Sequence, residues 1–230
     1  MVAVAALVGL WLFRRELERS GLPADAADAG IVGVLGGLVG AKLLWTIEHA
    51  GEAPWTDLLI SRGGLSWYGG LIGGVGAGLI YIVIRGWPVI STLAAATPSL
   101  AFGHMLGRIG CLLVGDDYGR PTDLPWGIAF PEGLPPTTVP VHPTQIYEAL
   151  GLAVLGWLLI RWRRHGTPDR VVLGRYLVGA GALRFAVEFL RVNERIAFGL
   201  SVAHFASIAA VVAGALLTLS MSEGRRPHSG

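Results

Sequence analysis

His104, Arg108 and Cys111 stand at i, i+4 and i+7 in an otherwise apolar run, so a helix there presents them on one face. Arg184, Glu188 and Arg191 repeat that spacing inside Ala-Leu-Arg-Phe-Ala-Val-Glu-Phe-Leu-Arg. An arginine at the centre of a membrane helix costs about 2.5–3.5 kcal/mol, so it either snorkels to the headgroups or faces the bundle interior and a partner. One ion pair between Arg184 and Glu188 would serve to hold helices together, but it needs one arginine and two are supplied. Together with Arg108 they predict a positive pocket beneath the outer leaflet. Guanidinium forks match phosphate oxygens bidentately, so the ligand such a pocket suits is a phosphate or a lipid headgroup.

A second polar group opens a further apolar stretch, His142-Pro143-Thr144-Gln145-Ile146-Tyr147-Glu148. Pro143 fits a first helical turn, and Gln145 and Glu148 then share a face and point into the same cavity. An isolated buried carboxylate such as Glu148 must find a cation or become protonated. His142-Pro143 also reads as simple helix capping, and Tyr147 as an interfacial anchor. In Gly63-Gly64-Leu65-Ser66-Trp67-Tyr68-Gly69-Gly70, followed by Gly73, Gly74, Gly76 and Gly78, the residues Gly70, Gly74 and Gly78 form a small-residue stripe sufficient for close helix packing. The double glycines near the outward end could also leave room for a substrate backbone or a lipid chain. Cys111 is the single cysteine, which excludes a disulfide framework within the chain and any cysteine-based metal cluster. The six histidines are too scattered for a metal triad, and there is no G-x-S-x-G elbow. Neither a metal nor a soluble cofactor is expected.

The elements that must position these residues follow from composition. Of 230 residues, 53% are apolar and only 15% charged, with a mean hydropathy of +0.58, far from the roughly 25% charged content of soluble domains. The pattern predicts an all-α, polytopic membrane helix bundle of about seven transmembrane helices, over residues 1–13, 29–48, 65–84, 89–113, 145–161, 171–191 and 199–219. Residues 1–221 form a single integral membrane domain and 222–230 a cytoplasmic tail. With the N-terminus outward, the inward loops hold Arg14, Arg15, Arg19, Arg85, Arg161, Arg163, Arg164, Arg170, Arg225 and Arg226, with Arg175 just inside the same face. Lys42, Arg62, Arg108, Arg120, Arg184, Arg191 and Arg195 fall toward the outward side, against that bias, and need another explanation. This spread explains the basic pI near 9.0 without a nucleic-acid partner. The long outward loop, 114–144, holds Pro121, Pro125, Pro131, Pro135, Pro136, Pro140 and Pro143 and the aromatics Tyr118, Trp126 and Phe130, and is expected to form an ordered periplasmic-side cap. There is no internal repeat and no inverted pair of interrupted helices, which weighs against a channel or carrier.

Gly107-Arg108-Ile109-Gly110-Cys111 leading to Gly115-Asp116-Asp117-Tyr118-Gly119 resembles the G-R-x-G-N-F-x-N-x-E-x-x-G signature of bacterial prolipoprotein diacylglyceryl transferases. Three further passages agree in order. Gly63 to Gly70 is similar to that family's G-G-[ML]-[SA]-F-H-G-G, His142 to Glu148 to its H-P-[ST]-Q-L-Y-E, and Leu183 to Arg191 to its F-R-F-x-x-E-F-x-R. The likeness runs over roughly residues 30 to 210. It departs from the family pattern where Tyr68 replaces the histidine of F-H-G-G, Cys111 and Val114 replace the two asparagines, and Asp116 replaces the glutamate.

The resemblance implies transfer of a diacylglyceryl group from phosphatidylglycerol to the lipobox cysteine of a prolipoprotein signal peptide, with glycerol phosphate leaving. It implies an active site toward the periplasmic leaflet of a bacterial inner (cytoplasmic) membrane, with membrane lipid as the surroundings. Arg108 and Arg184 would stabilise the departing phosphate, while Glu148 and Glu188 would orient the arginines or move protons. Tyr68 and Asp116 complete the catalytic set; an unperturbed tyrosine pKa near 10 makes Tyr68 a poor base, which leaves His104, Asp116 or Glu148 for that role. His104, Gly119, His142, Gln145, Tyr147, Arg191, Gly69 and Gly70 are the expected substrate-binding residues. The alternatives are a non-catalytic phospholipid- or lipoprotein-binding scaffold, which Tyr68 favours, and a paralogue with a different acceptor.

Overall fold

Pro98 sits inside a long helix, α5 (Val89–Val114), where it cannot donate to the carbonyl of Ala94. Thr97 repairs this, its hydroxyl donating to Ala94 O at 2.9 Å, so the helix runs on through His104 and Arg108. In the computed structural model residues 1–61 and 64–219 are described; Arg62, Gly63 and the expected tail with Arg225 and Arg226 lie outside them. The other helices are α1 (Val2–Arg19), α2 (Asp28–Glu48) preceded by a 3₁₀ turn, α3 (Trp55–Ile60), α4 (Trp67–Ile84), α6 (Thr144–Arg164), α7 (Asp169–Glu188) and α8 (Val202–Leu219). Among the described residues four helical stretches are long and apolar enough to cross a membrane: Ala24–Glu48, Trp67–Ile84, Val89–Val114 and Val202–Leu219. The chain is therefore a mostly helical, multi-pass membrane protein.

Two compact units divide it, Phe13–Thr92 on one hand and Met1–Leu12 with Leu93–Gly230 on the other. In the first, α2 and α4 pack backbone to backbone through glycines. A Cβ on Gly73 or Gly69 would run into the carbonyl oxygens of Gly36 and Gly40, and one on Gly74 would lie 3.0 Å from Gly33 O. A Cβ on Gly70 would meet Ala41 Cβ at an ordinary 3.5 Å, so of the expected stripe Gly70, Gly74 and Gly78 only Gly74 is tightly packed, and the closest approach is at Gly69 and Gly73. The helix expected to end at residue 13 continues to Arg19, because Phe13, Glu16 and Leu17 are buried on one side while Arg14, Arg15 and Glu18 stay exposed.

The second unit carries the candidate site. Ala94 and Ala101 of α5, Leu155 and Leu159 of α6 and Val172 of α7 form its buried apolar core. Gly174 of α7 and Gly214 of α8 let those two helices approach closely, a Cβ on Gly174 meeting Gly214 O at 2.6 Å. At the other end of α6 and α7, Arg163 pairs with Asp169 at 3.4 Å and Arg175 lies over the Trp162 ring at 4.6 Å. Two expectations need correction here. The segment after α5 is not free of regular structure: β1 (Ile128–Phe130) and β2 (Thr137–Val141) pair antiparallel, so the fold is not purely α. And α7 stops at Glu188. Leu190 and Arg191 donate to the carbonyls three residues back, Val187 and Glu188, at 2.9 and 3.2 Å, so Arg191 lies in a tight turn beyond the helix and is not the third member of a helical stripe.

Candidate active site

The turn after α5 is sewn between the start of α6 and the end of α7 by main-chain hydrogen bonds. Gly119 N–H donates to His142 O at 2.9 Å, His142 N–H to Arg120 O at 3.0 Å and Arg120 N–H to Leu190 O at 2.8 Å. Gly119 is needed for this approach, since a Cβ there would lie 2.6 Å from Leu190 O and 2.9 Å from Thr144 Cγ2. Its role is to bring the turn against Arg191.

The three arginines do converge, and they alternate with three carboxylates in a closed ring. Arg108 Nε lies 2.9 Å from Glu148 Oε2, and Arg184 Nη1 is 3.5 Å from that same oxygen. Arg184 Nη2 lies 2.8 Å from Glu188 Oε2, which Arg191 Nε approaches at 3.7 Å. Arg191 Nη2 reaches Asp117 Oδ1 at 2.5 Å, and Asp117 Oδ2 closes the ring on Arg108 Nη1 at 2.8 Å. With three cations and three anions the ring is formally neutral, which corrects the expectation of a bare positive pocket. The reason is burial: Glu148 and Glu188 are 1% and 0% exposed, and a cluster of unpaired guanidinium groups at that depth would be prohibitive. Charge is compensated more completely than hydrogen bonding is. Arg184 Nη1, Arg191 Nε, Glu148 Oε2 and Glu188 Oε2 are buried and make no aligned hydrogen bond, so they are held by ion pairing alone.

His104 joins the ring at Glu148. Its Nε2 accepts from Arg108 Nε–H at 3.3 Å and lies 3.7 Å from Glu148 Oε1, the nitrogen thereby acting as a lone-pair acceptor. Burial opposes ionisation of Asp117, but the adjoining Arg191 and Arg108 guanidinium groups outweigh it and hold the carboxyl below its ordinary value.

The third carboxylate of the ring is Asp117, not the Asp116 expected in the catalytic set. Asp116 stays outside the ring: its carbonyl accepts from Gln145 Nε2 at 2.5 Å, and its Oδ1 is buried without a hydrogen bond. The carboxylates of Asp116 and Asp117 lie with Cys111 Sγ inside a 4.8 Å cluster. Asp117 reaches the arginines because its backbone adopts a left-handed φ of 61°, held by Thr144 Oγ1 donating to its carbonyl at 2.8 Å. Gln145 lines a groove with Arg108, which in turn reaches Glu148, and Gln145 Oε1 is buried and unpartnered. His142 and Tyr147 are not among them. They face the loop between α5 and α6, where Tyr147 OH accepts from Trp126 Nε1 at 2.7 Å and lies 3.3 Å from His142 Nδ1. Tyr68, Gly69 and Gly70 belong to the other unit, in which Tyr68 stacks edge-on to Trp67 at 5.3 Å.

A layer of residues behind Glu188 went unread. Ser201 Oγ–H and Asn193 Nδ2–H donate to Glu188 Oε1 at 2.6 and 2.8 Å, and Arg195 Nη2 donates to Glu188 O at 3.2 Å. Fully buried His204 accepts at Nδ1 from Ser201 N–H at 3.2 Å, with Arg195 Nη1 at the same distance and the Phe185 and Phe189 rings around it. The available signal was the out-of-place charge of Arg195, one of the cations counted against the topology. Alongside the ring, α5 and α6 leave an apolar groove of about 260 Å³, with Met105, Ile109 and Leu112 on one wall and Ile146, Ala149 and Ala153 on the other. Arg108 and Gln145 supply its polar residues.

The arrangement can hold an anionic oxygen cluster among three guanidinium groups while an apolar tail lies in the adjacent groove. Comparison with known proteins points the same way. The family model for prolipoprotein diacylglyceryl transferase matches residues 1–220. A Clostridium tetani protein named phosphatidylglycerol–prolipoprotein diacylglyceryl transferase is 33% identical over 221 residues, covering 93% of this chain and 88% of the relative. Proteins of the same name from Geobacter sulfurreducens and Methylococcus capsulatus are 36% and 34% identical, covering 83% and 84% of this chain and 75% and 77% of their own lengths.

Proposed function

Because this chain belongs to the prolipoprotein diacylglyceryl transferase family, we propose that it transfers the diacylglyceryl group of phosphatidylglycerol to the lipobox cysteine thiol of a prolipoprotein. The observation that carries this reading is the convergence of Arg108, Arg184 and Arg191 beside an apolar groove. A phospholipid presents a phosphate and an acyl chain side by side, and the site offers guanidinium groups and apolar wall in the same order.

In the reaction a sulfur–carbon bond forms at the glycerol carbon as its bond to the phosphate oxygen breaks. The electron pair leaves on that oxygen, so glycerol phosphate departs as an anion. Arg184 and Arg191 place positive charge beside the developing phosphate anion, and Arg108 does so from the groove side. Glu148 and Glu188 set the guanidinium planes. A thiol must lose its proton to attack, and His104 at the ring's edge takes it when its Nε2 exchanges the hydrogen bond from Arg108 Nε–H for the incoming thiol. Glu148 is a poorer base, being shared between Arg108 and Arg184. Helices α1, α6 and α7 complete seven crossings with the four apolar ones. The N-terminus lies outside, the paired strands cap the periplasmic side, and the site opens toward the outer leaflet of the inner membrane, consistent with the inward arginine bias.

The test is mass spectrometry of a precursor lipoprotein made in cells that lack any other such transferase. The expected result is a diacylglyceryl adduct on the lipobox cysteine when this chain is present and an unmodified cysteine when it is absent. An unmodified precursor in both strains, with the protein inserted in the membrane, would leave a lipid-binding scaffold instead.

A further inference from the structure

We propose that the Asp117 carboxylate occupies, in the resting protein, the place that the substrate phosphate takes, so that lipid binds and glycerol phosphate leaves by exchange with this side chain. The inference rests on the assignment of phosphate to the arginine ring and adds to it a competing anion built into the chain.

Three observations carry it. First, the ring anions are not equivalent. The side chains of Glu148 and Glu188 are 2% and 0% exposed, on helices, whereas that of Asp117 is 41% exposed and sits on a turn. It alone of the three lies at the surface, with space to move into. Second, Asp117 gives one oxygen to Arg108 and the other to Arg191, spanning guanidinium groups from two separate segments as the paired oxygens of a phosphodiester would. Third, its main chain stays fixed while its side chain moves. The Asp117 carbonyl accepts from Thr144 Oγ1 at 2.8 Å and from Arg191 Nη1 at 2.9 Å, and neither bond involves the carboxylate. Arg191 therefore remains anchored after the carboxylate swings away, and Arg108 keeps Glu148. Exchange needs a side-chain rotation and no opening of the loop.

Charge bookkeeping gives the exchange its direction. With Asp117 turned to water, three guanidinium groups face two carboxylates, a surplus of one positive charge that matches a phosphodiester. The leaving phosphomonoester carries about −1.5 to −2 at neutral pH, so with it bound the ring is net negative, and return of the carboxylate on its release restores neutrality. No covalent bond changes in this step.

The experiment uses the full-length protein in nanodiscs free of phosphatidylglycerol, titrated calorimetrically with glycerol phosphate, as wild type, Asp117→Asn, Asp117→Ala and Arg184→Gln. Both Asp117 variants are expected to bind glycerol phosphate about tenfold more tightly, the scale on which a competing charge acts. In turnover with phosphatidylglycerol they are expected to show a lower KM together with a lower kcat, because product release slows. A mere brace for the two arginines would instead give weaker binding and a raised KM, and that result in both folded variants overturns the exchange. Arg184→Gln, which leaves Asp117 and its partners intact, is expected to abolish binding. Undiminished binding there would overturn the phosphate assignment itself, and with it the exchange.

Discussion

Asp116 and Asp117 are adjacent and chemically identical, yet only one of them meets the arginines. The difference is made by a left-handed φ at Asp117 and by a threonine hydroxyl that pins its carbonyl, neither of which local composition announces. Asp117 also provides the site's clearest dependence on pH. Its folded carboxyl titrates below the ordinary aspartate value of about 3.9, because Arg191 and Arg108 outweigh its burial. Such a group adds stability that is present above the unfolded value and is lost as pH falls through the lower folded one. In detergent, wild type is expected to melt above Asp117→Asn at neutral pH, with a difference that holds down to about pH 5 and shrinks below about pH 4. A melting series that found the gap widening on acidification would show that the carboxylate is not held ionised by its partners.

Three helices and two turns supply the ring, and the helical part was legible because it obeys a local period. His104 and Arg108 share a face of α5, and Arg184 and Glu188 share one of α7, as four-residue spacing requires. Arg191 broke the pattern: α7 ends at Glu188, and the following turn delivers the guanidinium by a different route. The glycine stripe between α2 and α4 was predicted in kind and included Gly74, but the closest approach lies one residue over at Gly69 and Gly73, since periodicity marks a face and close approach selects the line within it. The turn after α5 was legible only as a loop, although Gly119 is what lets it reach Leu190. Gly119→Ala is expected to push the turn and Arg191 apart, with a loss of about 1–3 kcal/mol and a fall in transfer greater than the fall in melting temperature explains. An unchanged transfer rate in the Gly119→Ala variant would mean that Arg191 does not depend on this contact.

At the scale of the whole chain, composition was enough for a multi-pass helical membrane protein, and four motifs in order were enough for the family. What neither could give was the balance of charge. A sequence shows three arginines beside two glutamates and invites a positive pocket; packing three part-buried guanidinium groups against two buried carboxylates leaves one charge over, and Asp117 offsets it. The layer of Ser201, Asn193, Arg195 and His204 behind Glu188 was hidden for a similar reason, since it assembles across the connection between α7 and α8 with no shared period. The central claim is that this ring receives the phosphate of the lipid donor. The most direct measurement is release of glycerol phosphate from phosphatidylglycerol by purified protein with a lipobox peptide, for wild type, Arg108→Ala and Arg184→Ala inserted in equal amounts. Release by wild type and none by either variant is the predicted result; release at the wild-type rate by both variants would contradict it.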